Sequence, residues 1–333
     1  MLRVLLASVV ICFVVFGALV SSHYRRDISE ARRRIEAGSS LITTRCGPIE
    51  YAEAGEGPPV LMVHGSGGGF DQGIAFGKDL AANGMRVIAM SRFGYLRTPL
   101  PADASSAAQA EAHACLLDAL GIERAAVVGA SAGAPSATEL ALRHPDRVES
   151  LVLLVPATYT PRAGNAPSVT SSRLTQLLFE TALRSNFFFW AVREVAPGML
   201  VRGILATPTK DLDAASPSER ARVNALLDGI LPVTDRRRGL TNDAIVVGSL
   251  APLDLKRIDV PALCISVADD QYGTFAAAKY TADQIPNARF IGYAKGGHVW
   301  VGHHDDIIQE ITAFLDRDAG PLYSSRPLSA ARM

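Results

Sequence analysis

In the stretch VVGASAGAPS, Val127–Ser136, one hydroxyl stands between glycines two positions away on each side, directly after an apolar β-branched run. A loop needs no such regularity. A strand that turns at once into a helix does, because it forces its central residue into an unfavourable backbone region and leaves no room for side chains at Gly129 and Gly133. Pro135 suits the first turn of the helix that follows, where its missing N–H costs nothing. A serine presented in this way becomes a nucleophile once a base accepts its proton. His298, in AKGGHVW, follows the last apolar run on a glycine-rich turn, and Asp269 and Asp270, in VADDQYG, end the run before it. Either carboxylate would orient the imidazole and stabilise its charged form. The glycine-rich VHGSGGGF, Val63–Phe70, supplies donors for a developing oxyanion: the amide of Ser66 or of Gly67, paired with that of Ala132. A phosphate-binding loop is the competing use of such glycines, but no Lys-Ser/Thr follows and the spacing misses the dinucleotide fingerprint.

The elements that must hold these groups can be read from apolar pattern. LITTRC and IEYAEAG read as two short strands, and PPVLMVHG, GMRVIAMS, RAAVVGAS, RVESLVLLVPA, VPALCISVADD and ARFIGYAKGGH as six more. Most are continuous apolar runs, as strands buried on both faces are. Helical patterns alternate with them, which predicts βαβ units and a mostly parallel sheet. The alternation breaks between Thr160 and Lys256, where helical patterns occur without a convincing strand. That stretch is expected to be a helical insertion over the sheet.

In order and spacing, HGSGGG, SRFGYLRTP, GASAG, PALCISVADD and GGHVWVGHHDD resemble the α/β hydrolases, a large family that includes esterases, lipases, haloperoxidases and carbon–carbon bond hydrolases. The resemblance spans Leu41 to Asp316. It implies a twisted, mostly parallel eight-stranded sheet flanked by helices, with a helical cap inserted after strand six. It also implies Asp270, rather than Asp269, as the partner of His298. The expected division is a core of residues 41–160 and 257–316, a cap of 161–256 and a flexible tail of 317–333. Two positions depart from the family pattern: Ser91 replaces a common aspartate and Leu96 a glycine. The serine nucleophile itself disfavours the dehalogenase and epoxide hydrolase chemistries of the fold, which use aspartate.

The N-terminus is a separate matter. Val4 to Val20 carries no charge; as a helix it would span roughly 26 Å, near the lower limit for crossing a bilayer. Residues 1–24 are therefore expected to be a transmembrane anchor and 25–40 a juxtamembrane helix or stalk. Arg25, Arg26, Arg32, Arg33 and Arg34 outnumber Arg3 across this segment, so the positive-inside rule places the body in the cytoplasm, with an exported body as the alternative. The four cysteines, Cys12, Cys46, Cys115 and Cys264, are far apart and read as small buried hydrophobes rather than a disulfide framework.

The chain has 333 residues, 48% of them hydrophobic, and no formal net charge. No basic excess points to nucleic acid. No cofactor or metal is expected; the run His303, His304, Asp305, Asp306 reads as a solvated helix start. His64 is expected to brace the oxyanion loop, and His113 and His144 to lie on helix surfaces. Phe187–Trp190 reads as cap core, with a pocket roof or a bilayer-facing surface as the functional use. The expectation is a membrane-anchored serine hydrolase of a small apolar carboxylic ester. Alternatives are carbon–carbon bond hydrolysis or cofactor-free perhydrolysis with the same triad, and a non-catalytic ligand-binding receptor.

Overall fold

The computed structural model describes residues 2–161 and 183–318. A long helix, α1 (Leu2–Ala37), precedes β1 (Ser40–Thr44), β2 (Gly47–Ala54), β3 (Pro59–Val63), α2 (Phe70–Ala82), β4 (Arg86–Met90), α3 (Ser106–Ala119), β5 (Ala125–Ala130), α4 (Ala134–Arg143) and β6 (Val148–Leu154). Five helices follow among the described residues: α5 (Asn186–Val195), α6 (Pro197–Gly203), α7 (Thr209–Asp213), α8 (Pro217–Gly229) and α9 (Arg237–Gly248). The chain then returns to β7 (Ala262–Val267), α10 (Thr274–Gln284), β8 (Ala288–Tyr293) and α11 (His304–Asp318).

All eight expected strands form one sheet in the order β1-β2-β4-β3-β5-β6-β7-β8. Only the β1–β2 and β2–β4 pairs are antiparallel. Successive side chains of a strand point to opposite faces, so a strand apolar at every position feeds two cores. Leu61, Val63, Val127 and Leu151 pack with Leu116 of α3 and Leu140 of α4. Their strand neighbours Val60, Met62, Val128 and Val152 pack on the other face with Leu80 of α2 and Ile307 and Ile311 of α11. Because β5, β7 and β8 run parallel, their C-terminal ends lie along one sheet edge, where crossover topologies place their binding sites.

Between β6 and β7 the described residues form no strand, in keeping with the expected insertion. Phe189 and Trp190 join Leu200, Val201, Val223 and Leu227 in the cap core, while Phe187 stays half exposed. The first part of the long helical pattern before Asn186, and the tail beyond Asp318, lie outside the described residues.

α1 is one unbroken helix whose second half packs on the body: Ile28, Ala31 and Ile35 are buried, and Arg34 donates to the carbonyls of Asp228 and Leu231. Two local expectations are corrected. His113 is fully buried, its Nε2 3.0 Å from Ser136 Oγ, because nearly the whole circumference of α3 from Gln109 to Leu117 is covered. Cys46 and Cys115 form a disulfide between the β1–β2 turn and α3. Their sequence separation of 69 hid this pairing, which arises only when the hairpin folds across the helix. Cys264 is buried, as expected, and Cys12 is exposed on α1.

Cross-linking so long a loop restrains the unfolded chain and contributes about 2–5 kcal/mol. Reductant should therefore lower the melting temperature of the full chain by roughly 5–15 °C. Cys46→Ser should melt at that lower temperature and ignore reductant. A wild-type melting curve unmoved by reductant would dismiss the cross-link.

Candidate active site

Ser131 ends β5 at φ +49°, in the left-handed region that non-glycine residues rarely occupy. The strain is held by close packing on both sides. A Cβ on Gly129 would lie 2.6 Å from Ala137 Cβ, and one on Gly133 would lie 2.5 Å from the carbonyl oxygens of Val63 and His64. The glycine fence thus lets α4 start against the strand and lets β3 pass beneath the turn. Pro135 does fall in the first turn of α4.

The turn brings the expected groups together. Ser131 Oγ is 2.9 Å from His298 Nε2, and His298 Nδ1 is 2.8 Å from Asp270 Oδ2. Asp270 is buried and otherwise engaged: Oδ1 accepts from the Tyr272 amide at 2.8 Å, and Oδ2 accepts from the Thr274 hydroxyl. Asp269 points elsewhere and accepts from the Gly297 amide at 2.8 Å, so it fixes the turn that carries His298. The choice between the two aspartates is thereby decided by geometry. With Nδ1–H donated to Asp270, Nε2 is the nitrogen free to take the serine proton, which is what a general base requires. The Tyr272 ring packs edge-on against the imidazole, its centroid 4.9 Å away.

The oxyanion loop is held by residues the sequence did not single out. The Gly67 amide donates to Tyr95 Oη at 3.2 Å, which removes it as an oxyanion donor. The Ser66 amide finds no acceptor among the described residues and, with the Ala132 amide, remains as the donor pair. Ser66 Oγ donates to Asp243 Oδ2 at 2.8 Å, and Tyr95 Oη donates to the same oxygen at 2.5 Å. Arg92 closes the cluster by pairing both its terminal nitrogens with Asp243, at 2.6 and 2.8 Å. Arg92, Asp243 and Tyr95 are all buried, and burial beside Asp243 pushes the Tyr95 hydroxyl well above its ordinary range. Asp243 sits on cap helix α9, so cap and core meet in this cluster. A second buried pair, Arg236 with Asp71, lies beside it, and Arg236 also donates to the Gly68 carbonyl at 2.5 Å.

His64 braces the loop from below, as expected. Its Nε2 accepts from the Arg92 amide at 2.9 Å, so Nδ1 carries the proton and donates to the Gly65 carbonyl at 2.7 Å. Burial, followed by the Arg92 guanidinium, holds the imidazole neutral well below its usual pKa. Leu96 keeps a left-handed φ of +50° where the family pattern has glycine, and the Ser91 hydroxyl donates to Glu50 at 2.8 Å. The His303–Asp306 run opens α11, with His304 paired to Asp79, and no metal-binding cluster occurs among the described residues.

Ser131 and His298 open into a cavity of about 340 Å³, lined largely by apolar side chains from the cap and the strand ends. Among the described lining residues Asp243 is the only carboxylate and His298 the only imidazole, and no Arg or Lys reaches the wall.

Tyr95→Phe leaves the Gly67 amide and one Asp243 oxygen short of a partner, at about 1–3 kcal/mol. The variant should melt a few degrees lower and turn over an ester test substrate roughly 10-fold more slowly with KM unchanged. Full kcat in a folded variant would detach Tyr95 from placement of the oxyanion donors.

Comparison with known proteins agrees with this architecture. The sequence profile of the alpha/beta hydrolase fold family matches residues 58–302. A 2-hydroxy-6-oxononadienedioate/2-hydroxy-6-oxononatrienedioate hydrolase of Dechloromonas aromatica (strain RCB) is 34% identical over 268 residues, covering 78% of this chain and 86% of its own. The 2-hydroxymuconate semialdehyde hydrolase of Pseudomonas putida is 31% identical over 210 residues, 54% of this chain and 74% of its own. An alpha/beta hydrolase fold protein from Nakamurella multipartita superposes with a TM-score of 0.66 at 27% identity, covering 85% of this chain and 100% of its own. In sheet order, strained serine turn and matched sequence alike, this chain belongs to the alpha/beta hydrolase family.

Proposed function

We propose that the chain is a serine hydrolase of a neutral, largely apolar carboxylic ester. The observation that carries this reading is the Ser131–His298–Asp270 chain of 2.9 and 2.8 Å contacts at the floor of a cavity whose described wall lacks a cation. Ser131 Oγ attacks the ester carbonyl as His298 Nε2 takes its proton, and Asp270 stabilises the imidazolium. The Ser66 and Ala132 amides receive the oxyanion. His298 returns the proton to the leaving alcohol and then activates the water that cleaves the acyl-enzyme.

A second reading follows from the relatives. A 2-hydroxy-6-oxo-dienoate contains no ester, so its hydrolysis breaks a carbon–carbon bond beside a ketone, and the same triad would serve. Such substrates carry carboxylates. Among the described residues, the guanidiniums behind the cavity wall are already bound: Arg92 by Asp243, Arg236 by Asp71 and Arg222 by Glu219. A carboxylate entering here would meet an aspartate and apolar side chains, an environment that charges avoid. This favours the ester.

The reading also includes α1 as a single-pass anchor. The side chains from Leu5 to Leu19 are exposed on a helix long and apolar enough to cross a membrane. The Cys46–Cys115 disulfide supports placing the body on the oxidising side of that membrane, against the flanking-charge expectation. Of the arginines behind that expectation, Arg34 is engaged in the fold, where it binds cap carbonyls.

On purified chain, short-acyl aryl esters should show kcat/KM at least about 100-fold above that for a 2-hydroxy-6-oxo-dienoate, and Ser131→Ala should lose roughly 10⁴-fold or more in kcat. The opposite preference would move the assignment to carbon–carbon hydrolysis; full activity in Ser131→Ala would remove the triad. For the topology, protease added outside intact cells should digest the body while the disulfide is present. A protected body with free thiols would restore the cytoplasmic placement.

A further inference from the structure

We infer that the cap face packed on α1 rests on the bilayer surface, and that the Ser131 cavity takes its ester from the lipid leaflet rather than from water. The inference rests on reading α1 as an anchor. From Leu5 to Leu19 the side chains of the helix are exposed, Phe13 to 72% and Phe16 to 66%. Contact with the body begins at Val20 and Tyr24. At 1.5 Å per residue, Tyr24 lies about 6 Å past Val20, which is the depth of the headgroup layer. There the Phe187 ring, half exposed, meets Tyr24 edge-on at 5.2 Å, and Trp190 meets Tyr24 at 5.5 Å while its indole N–H donates to Asp27. An aromatic cluster with polar tips at this height is what a membrane–water interface favours. Arg25 and Arg26, exposed on the next turn, add attraction for anionic headgroups.

The same apolar body reaches the active site. Ile28 and Ala31 of α1 belong to one packed cluster with Leu205 and Ile230, against which Leu183 and Leu226 also pack. The last four line the cavity of Ser131. The apolar cluster that α1 packs into is therefore also part of the wall beside the nucleophile. A lipophilic ester concentrates in the leaflet, and the helix sets the cleft against that reservoir. The occupant of this face is bilayer lipid, and the substrate is an ester dissolved in it.

The test uses the full chain in nanodiscs whose acyl chains are brominated near the headgroup, compared with unbrominated ones. Added tryptophans report their own contact with bromine as the difference from wild type, which keeps Trp190 and Trp300. Phe16→Trp marks the span, Phe187→Trp the cap face and Ile245→Trp an exposed position on α9. The expected result is strong quenching at 16, about twofold quenching at 187 and none at 245. Quenching at 16 without quenching at 187 would show the cap held clear of the membrane and overturn the inference. Equal quenching at 187 and 245 would overturn it too, since no face would then be selected. No quenching at 16 would remove the anchor and the inference together. Because the readout involves no turnover, failure of the esterase assignment would leave it unchanged and would be seen separately.

Discussion

The whole site depends on one contact, the 2.9 Å approach of Ser131 Oγ to His298 Nε2. It joins residues separated by 167 positions, and nothing local holds them together. Two constraints make it. The left-handed turn at Ser131 lifts the hydroxyl above the end of β5, and the parallel order of β5, β6, β7 and β8 brings the acid and the imidazole to the same sheet edge. The turn rests on the close packing of α4 and of the end of β3 around it, for which Gly129 and Gly133 give the space. The strain at the turn is sustained by the buried core around it, as strained functional residues generally are.

The oxyanion loop is built differently, by charge. Asp243 and Arg236 come from the cap, Arg92 and Asp71 from the core, and each pair is buried. Buried ion pairs contribute little net stability, but removing one partner leaves an uncompensated charge. Their effect here is to fix position. The part of the cap around α9 is welded to the loop carrying Ser66, and the Tyr95 hydroxyl ties the neighbouring amide to the same carboxylate. The loop that carries Ser66 is therefore positioned by the insertion as well as by the sheet.

The insertion also receives α1. Ile28 and Ala31, with the Arg34 and Asp27 hydrogen bonds, make the N-terminal helix part of the cap's packing, while Ile35 packs on Ala52 and Phe70 of the core. The aromatic run at Phe187–Trp190 then has two roles by side: Phe189 and Trp190 fill the cap, while Phe187 and Trp190 meet the rings of α1. One insertion thus links α1, the cavity wall and the glycine-rich loop that carries Ser66.

The sequence alone determined the strand count, the alternation of helices, the strained serine and the three groups of the triad, because each is a local pattern or a local steric demand. Continuous apolar runs mark strands buried on both faces, and glycines at fixed offsets mark a turn with no space for Cβ. The residues alone left Asp269 and Asp270 open and the family resemblance pointed to Asp270; the tertiary structure shows Asp270 against His298 and Asp269 on the Gly297 amide, since two adjacent carboxylates differ only in where their side chains point. It likewise supplied the Cys46–Cys115 bond, the burial of His113 and the Arg92–Asp243–Tyr95 cluster. Those features pair residues from elements far apart in the chain, and a single sequence records the presence of such residues but not their meeting. Charge and thiol groups carry no periodic signature; their partners are chosen by packing.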